Sequence, residues 1–63
     1  MIIKTNDLAL VLQYLKIKGI KTIDLDNIRT IGNETIITDL YNSITNESIK
    51  TNLKEFSINK EIN

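Results

Sequence analysis

Between Asp7 and Lys18 the apolar residues are too many for one face of a helix. At ~100° per residue, Leu8, Val11, Leu12 and Leu15 fall on one stripe, with Leu12 near its middle. Leu10, Tyr14 and Ile17 make a second stripe roughly 150° away. Strand competes over Leu8–Leu12, but length and flanking chemistry decide for helix: Thr5 or Asn6 suits the cap, Asp7 the first turn, Lys16 and Lys18 the last turn, and Gly19 the stop. A helix with two apolar stripes wants cover on both sides.

The segments around it are less two-sided. Met1–Lys4 reads as a loose apolar arm or a short strand. In the stretch 20–31, Leu25, Ile28 and Ile31 recur every three residues, which suits a short helix opening at Asp24 and stopping at Gly32. Ile23 and Leu25 also alternate with polar residues as a strand would, and Gly32-Asn33 is a possible hairpin turn if Ile28–Ile31 and Thr35–Thr38 are strands. The helix is preferred, because Ile36, Ile37, Leu40, Tyr41 and Ile44 then line one face of an amphipathic helix with Asn33 and Glu34 at its start. Asn46 caps a last helix carrying Glu47 in its first turn and Ile49, Leu53 and Phe56 at helical spacing; Ile58 and Ile62 fall off that stripe. The predicted fold is all-α: a single domain over residues 1–63, of three or four short helices, the first central and buried on two sides, with a loose arm at 1–5 and a loose tail at 58–63.

Composition narrows the function more than the fold. A chain of 63 residues buries a small share of its surface and needs help from disulfides, a metal or self-association. It has neither Cys nor His, which removes disulfides and the usual zinc and haem ligands, and no Asp-rich loop has calcium-binding spacing. Self-association remains, and Leu10, Tyr14 and Ile17 are the expected interface of a homodimer or larger. The longest apolar run is too short to span a bilayer and no signal-peptide pattern opens the chain, so the expectation is a soluble cytoplasmic protein. An excess of Ile, Asn, Lys and Thr with a single Ala and no Pro has the look of AT-rich coding, as in a low-GC bacterium, its phages or plasmids, or an AT-rich eukaryote.

Charge is uneven although the total is zero. Lys4, Lys16, Lys18 and Lys21 against Asp7 give +3 up to Lys21; Arg29 against Asp24, Asp26, Glu34, Asp39 and Glu47 gives −4 up to Glu47; the remainder carries +1. Asp24, Asp26, Glu34 and Asp39 are therefore candidates for a face turned toward a basic partner protein.

Leu25-x-x-Ile28-x-Thr30-Ile31-Gly32-x-x-Thr35-Ile36-Ile37-x-x-Leu40 is similar to the helix-hairpin-helix motif, and the resemblance implies a glycine turn offering amides to a DNA phosphate. The chain departs from that pattern with Thr30 at the first glycine position and no Lys or Arg in Asn33-Glu34-Thr35. A helix-turn-helix reader built on Gly32 and a helix from Asn33 to Thr45 has Asn33, Thr35, Thr38 and Asn42 for bases and no cation for phosphates. Hydroxyls are plentiful, yet without His or Cys the usual activating base is missing, and Asp24 and Asp26, two apart, do not converge. The function expected is a small non-enzymatic regulator or inhibitor that binds an unidentified protein and acts as a homodimer, without cofactor, metal or catalytic residues; the rival is a dimeric DNA-binding regulator.

Overall fold

The computed structural model describes residues 1–21, 23 and 25–58. Strand β1 (Ile2–Lys4) runs into a 3-10 turn (Thr5–Asp7) and helix α1 (Leu8–Ile17); β2 (Arg29–Ile31) and β3 (Glu34–Ile36) follow, then α2 (Thr38–Ser43), α3 (Glu47–Leu53) and a final 3-10 turn (Lys54–Phe56). The all-α expectation is overturned, because the three strands form one antiparallel sheet in the order β1-β3-β2.

The cause lies around Gly32. Arg29-Thr30-Ile31 and Glu34-Thr35-Ile36 each carry β-branched residues whose restricted χ1 suits a pleated surface. Between them Gly32-Asn33 makes a two-residue turn: Ile31 pairs with Glu34, and Gly32 has φ 61, the sign that hairpin turns of this length require at their first position. The hairpin alternative prevails over the short helix to Gly32. Neither the helix-hairpin-helix nor the helix-turn-helix arrangement is formed here, since both need helices where β2 and β3 stand. The predicted opening of the short helix at Asp24 lies outside the described residues, as does the tail from 59 onward, Ile62 included.

The N-terminal segment is no loose arm. Ile2, Ile3 and Lys4 pair with Ile36, Thr35 and Glu34, and the amide of Thr5 extends the ladder to the Asn33 carbonyl at 2.8 Å. Alternation then places Ile3, Thr35 and Thr30 on one face of the sheet and Ile2, Ile36, Arg29, Lys4, Glu34 and Ile31 on the other. The first face is the core face: Ile3 and Thr35 are fully buried. Ser57 bridges to Ile3 and the amide of Ile58 donates to Ile2, so the outer edge of β1 is covered, whereas all three residues of β2 are exposed.

Against that face pack Val11 and Leu15 of α1, Ile37, Leu40 and Ile44 along α2, and Ile49 and Leu53 of α3. Residues Ile37, Leu40, Tyr41 and Ile44 keep the helical face read from the sequence, but the helix starts at Thr38 and Ile36 is given up to the sheet. Helix α3 begins as read: the Asn46 side chain accepts the Ile49 amide at 3.1 Å, satisfying one first-turn donor that has no partner within the helix. The ammonium of Lys50 sits 4.9 Å from the Tyr41 ring and ties α3 to α2. No helix among the described residues is long and apolar enough to cross a membrane.

Candidate interaction surface

Helix α1 is buried on one side, not two. Its core stripe has Val11 and Leu15 fully buried with Leu8 and Leu12 half-buried, while Ala9, Leu10, Gln13, Lys16 and Ile17 are exposed. The reason is topological: sheet, α2 and α3 supply one layer of cover, and two further apolar segments are used elsewhere, Met1–Lys4 in the sheet and Arg29–Ile31 in the hairpin.

At its end α1 is turned back sharply. The Gly19 amide donates to the Lys16 carbonyl and the Ile20 amide to the Leu15 carbonyl, with Gly19 at φ 89, the paired bonds and left-handed residue of a Schellman stop. An Ala there would carry the strain of that φ, although its Cβ would touch nothing within 4 Å. The reversal brings Ile20 and Ile23 back against the core and leaves Leu25 outside, just before a turn closed by the Ile28 amide on the Leu25 carbonyl at 3.2 Å.

Between α1 and this returning chain lies an open groove of about 720 Å³, walled by Leu12, Gln13, Lys16 and Ile17 on one side and Ile23 and Leu25 on the other. Two of its apolar residues stand in solvent, Ile17 72% exposed and Leu25 54%; Leu10, two helical turns before Ile17 on the same stripe, is 53% exposed, and Ile31 on β2, away from the groove, 69%. A small-molecule site needs several convergent polar groups to fix orientation. Here Gln13 and Lys16 are the polar lining, so the groove suits an apolar side chain of a protein better than a polar metabolite. A second depression, at the end of the sheet, is lined by Lys4, Asn6, Asn33, Glu34 and Ile58; Lys4 and Glu34 face each other across β1 and β3, so their charges offset.

The structure divides the three residues read as a self-association stripe. Leu10 and Ile17 are free at the surface, but Tyr14 is half-buried, its hydroxyl accepting the Asn52 side-chain N–H at 2.8 Å and its ring lying 5.7 Å from the Lys18 ammonium. Tyr14 thus joins α1 to α3. Leu12, Ile23 and Leu25 are groove residues that the sequence reading placed elsewhere; the alternation of Ile23 and Leu25 was their one signal. Of the acidic candidates, Asp26 lies in the turn after Leu25, Glu34 in β3 opposite Lys4, and Asp39 in the first turn of α2, where its charge suits the helix dipole. These three stand on separate elements, and Asp24 lies outside the described residues. Among the described residues no group of three or more His, Cys, Asp or Glu is placed to hold a metal ion.

No family model matches the chain, and comparisons with curated proteins and with solved structures find no match.

Proposed function

We propose that this chain is a non-enzymatic protein-binding module, a small regulator or inhibitor, that acts as a homodimer through the exposed face of α1. The observation that carries the reading is the exposed stripe of Leu10 and Ile17 on α1 with Leu25 across the groove from Ile17, all three largely in solvent on a chain with little core to spare. Single exposed apolar residues are ordinary; two on one helical stripe beside a third across an apolar groove form a surface that gains from being covered. Covering it in a second copy adds the buried area that a chain of this size lacks by itself.

Sedimentation velocity over a concentration series tests the proposal. The unaltered chain should shift from monomer to dimer as concentration rises. Leu10→Glu combined with Ile17→Lys should stay monomeric with an unchanged far-UV circular dichroism spectrum, since neither side chain is in the core. An unaltered chain that remains monomeric into the high micromolar range contradicts the proposal.

A further inference from the structure

We infer that two copies meet with their first helices antiparallel, each setting its Leu10 against the Ile17 of the other. The inference rests on the homodimer reading and specifies its geometry. Leu10 and Ile17 are separated by two turns, about 10 Å along the helix at ~1.5 Å per residue. In an antiparallel pair related by a two-fold axis near Gln13, the Leu10 of each copy lies opposite the Ile17 of the other, and the same contact is made twice. The groove that Ile17 shares with Gln13 and Lys16 opens on the flank of this contact, and Leu25 forms its far wall.

Charge selects this direction over the parallel one. At ~100° per residue Asp7, Tyr14 and Lys18 share one flank of the Leu10–Ile17 stripe, and Ala9, Gln13 and Lys16 share the other. The first flank is visible in the structure, where the Lys18 ammonium lies over the Tyr14 ring. A two-fold axis perpendicular to the helices turns each flank toward its own copy with the ends reversed, which sets Asp7 of one chain beside Lys18 of the other, twice. It also opposes the helix dipoles. A parallel pair would instead gather Lys16 and Lys18 of both chains at one end and both Asp7 carboxylates at the other, an arrangement that like-charge repulsion disfavours. On the second flank the Gln13 amides meet near the axis, each carrying both donors and an acceptor, and Ala9 is small enough to admit close approach.

The absence of cysteine from the chain makes the geometry directly readable, because any introduced thiol is unique. Leu10→Cys and Ile17→Cys chains are purified separately and oxidised mildly, alone and mixed, at a concentration where the unaltered chain sediments as a dimer. Non-reducing mass analysis then reads the products. The antiparallel pair gives a mixed disulfide in the mixture and leaves each variant alone largely reduced. Cross-linking of each variant alone, with no excess of the mixed product, shows a parallel pair and overturns the inference. Absence of any cross-link in a chain that still sediments as a dimer also overturns it, while leaving self-association standing; a monomeric chain defeats the homodimer reading itself. Reversing charge gives an independent readout: Asp7→Lys or Lys18→Asp alone should raise the dimer Kd about two- to thirtyfold, as loss of two exposed ion pairs does, and the two together should bring it back. A double reversal that binds no better than the single ones contradicts the pairing.

Discussion

The hydroxyl of Thr35, fully buried at the centre of the sheet, lies 2.9 Å from the hydroxyl of Thr5, which stands in the turn that leads into α1. Thr30, across the hairpin, approaches the same oxygen at 3.1 Å. A buried hydroxyl without a partner costs about 1–3 kcal/mol, and Thr35 is spared this by two neighbours that are themselves less buried. Thr35→Val should therefore change stability by less than about 1 kcal/mol, since Thr5 and Thr30 can turn to water. Thr5→Val with Thr30→Val should cost about 1–3 kcal/mol, and adding Thr35→Val should recover most of it. Thermal melts of the set decide, with ~4–8 °C per kcal/mol for a domain of this size. A loss above about 2 kcal/mol in Thr35→Val alone would show that its hydroxyl is needed for itself.

Burial along α1 is not deepest at the middle of its apolar stripe. Leu15 is fully buried, whereas Leu12 is half-buried on the groove wall. Leu15→Ala should cost ~2–5 kcal/mol, enough to unfold much of a domain this small. Leu12→Ala should cost clearly less, because the groove already admits water beside it. Urea titrations of both variants followed by far-UV circular dichroism give the order; equal losses would mean that Leu12 is as enclosed as Leu15.

Asn46 tests whether α3 depends on its cap. Asn46→Ala removes the acceptor for the Ile49 amide and should cost about 1 kcal/mol, while Asn46→Asp should be nearly neutral or stabilising at neutral pH. Chemical denaturation of the three chains separates these outcomes, and equal stability of all three would show the cap contact to be dispensable.

At Gly32 the price of a side chain is conformational alone. Its φ of 61 is one that L-residues resist, and a Cβ there would meet nothing within 4 Å. Gly32→Ala should therefore cost about 1–2 kcal/mol, read as a lower melting temperature with an unchanged spectrum. A neutral substitution would mean that the turn adopts another conformation.

These elements differ in how much the sequence showed of them, for a physical reason. Helix α3 was legible down to Asn46 because its cap, first-turn acid and apolar spacing are all local. The stop at Gly19 was equally local. Strands β1 and β2 were legible only as alternatives, a short strand at Met1–Lys4 and a hairpin at Gly32-Asn33, because each is three residues long and is stabilised by β3, which in the case of β1 lies some thirty positions away. Periodicity cannot register a partner at that distance, and Leu25, Ile28 and Ile31 mimic a helical face. The exposed pair Leu10 and Ile17 followed from counting apolar stripes on α1. Leu25 opposite them did not, since its position depends on the reversal at Gly19 and on where the hairpin begins.

The claim that the face of α1 and its groove form the binding surface is tested most directly by amide ¹H–¹⁵N spectra of the unaltered chain recorded on dilution from high to low micromolar concentration. Concentration-dependent shifts are expected at Ala9, Leu10, Gln13, Ile17 and Leu25, with Arg29–Ile31 and the exposed residues of α2 unmoved. Spectra that do not change on dilution, or changes centred on the exposed strand Arg29–Ile31, would contradict it.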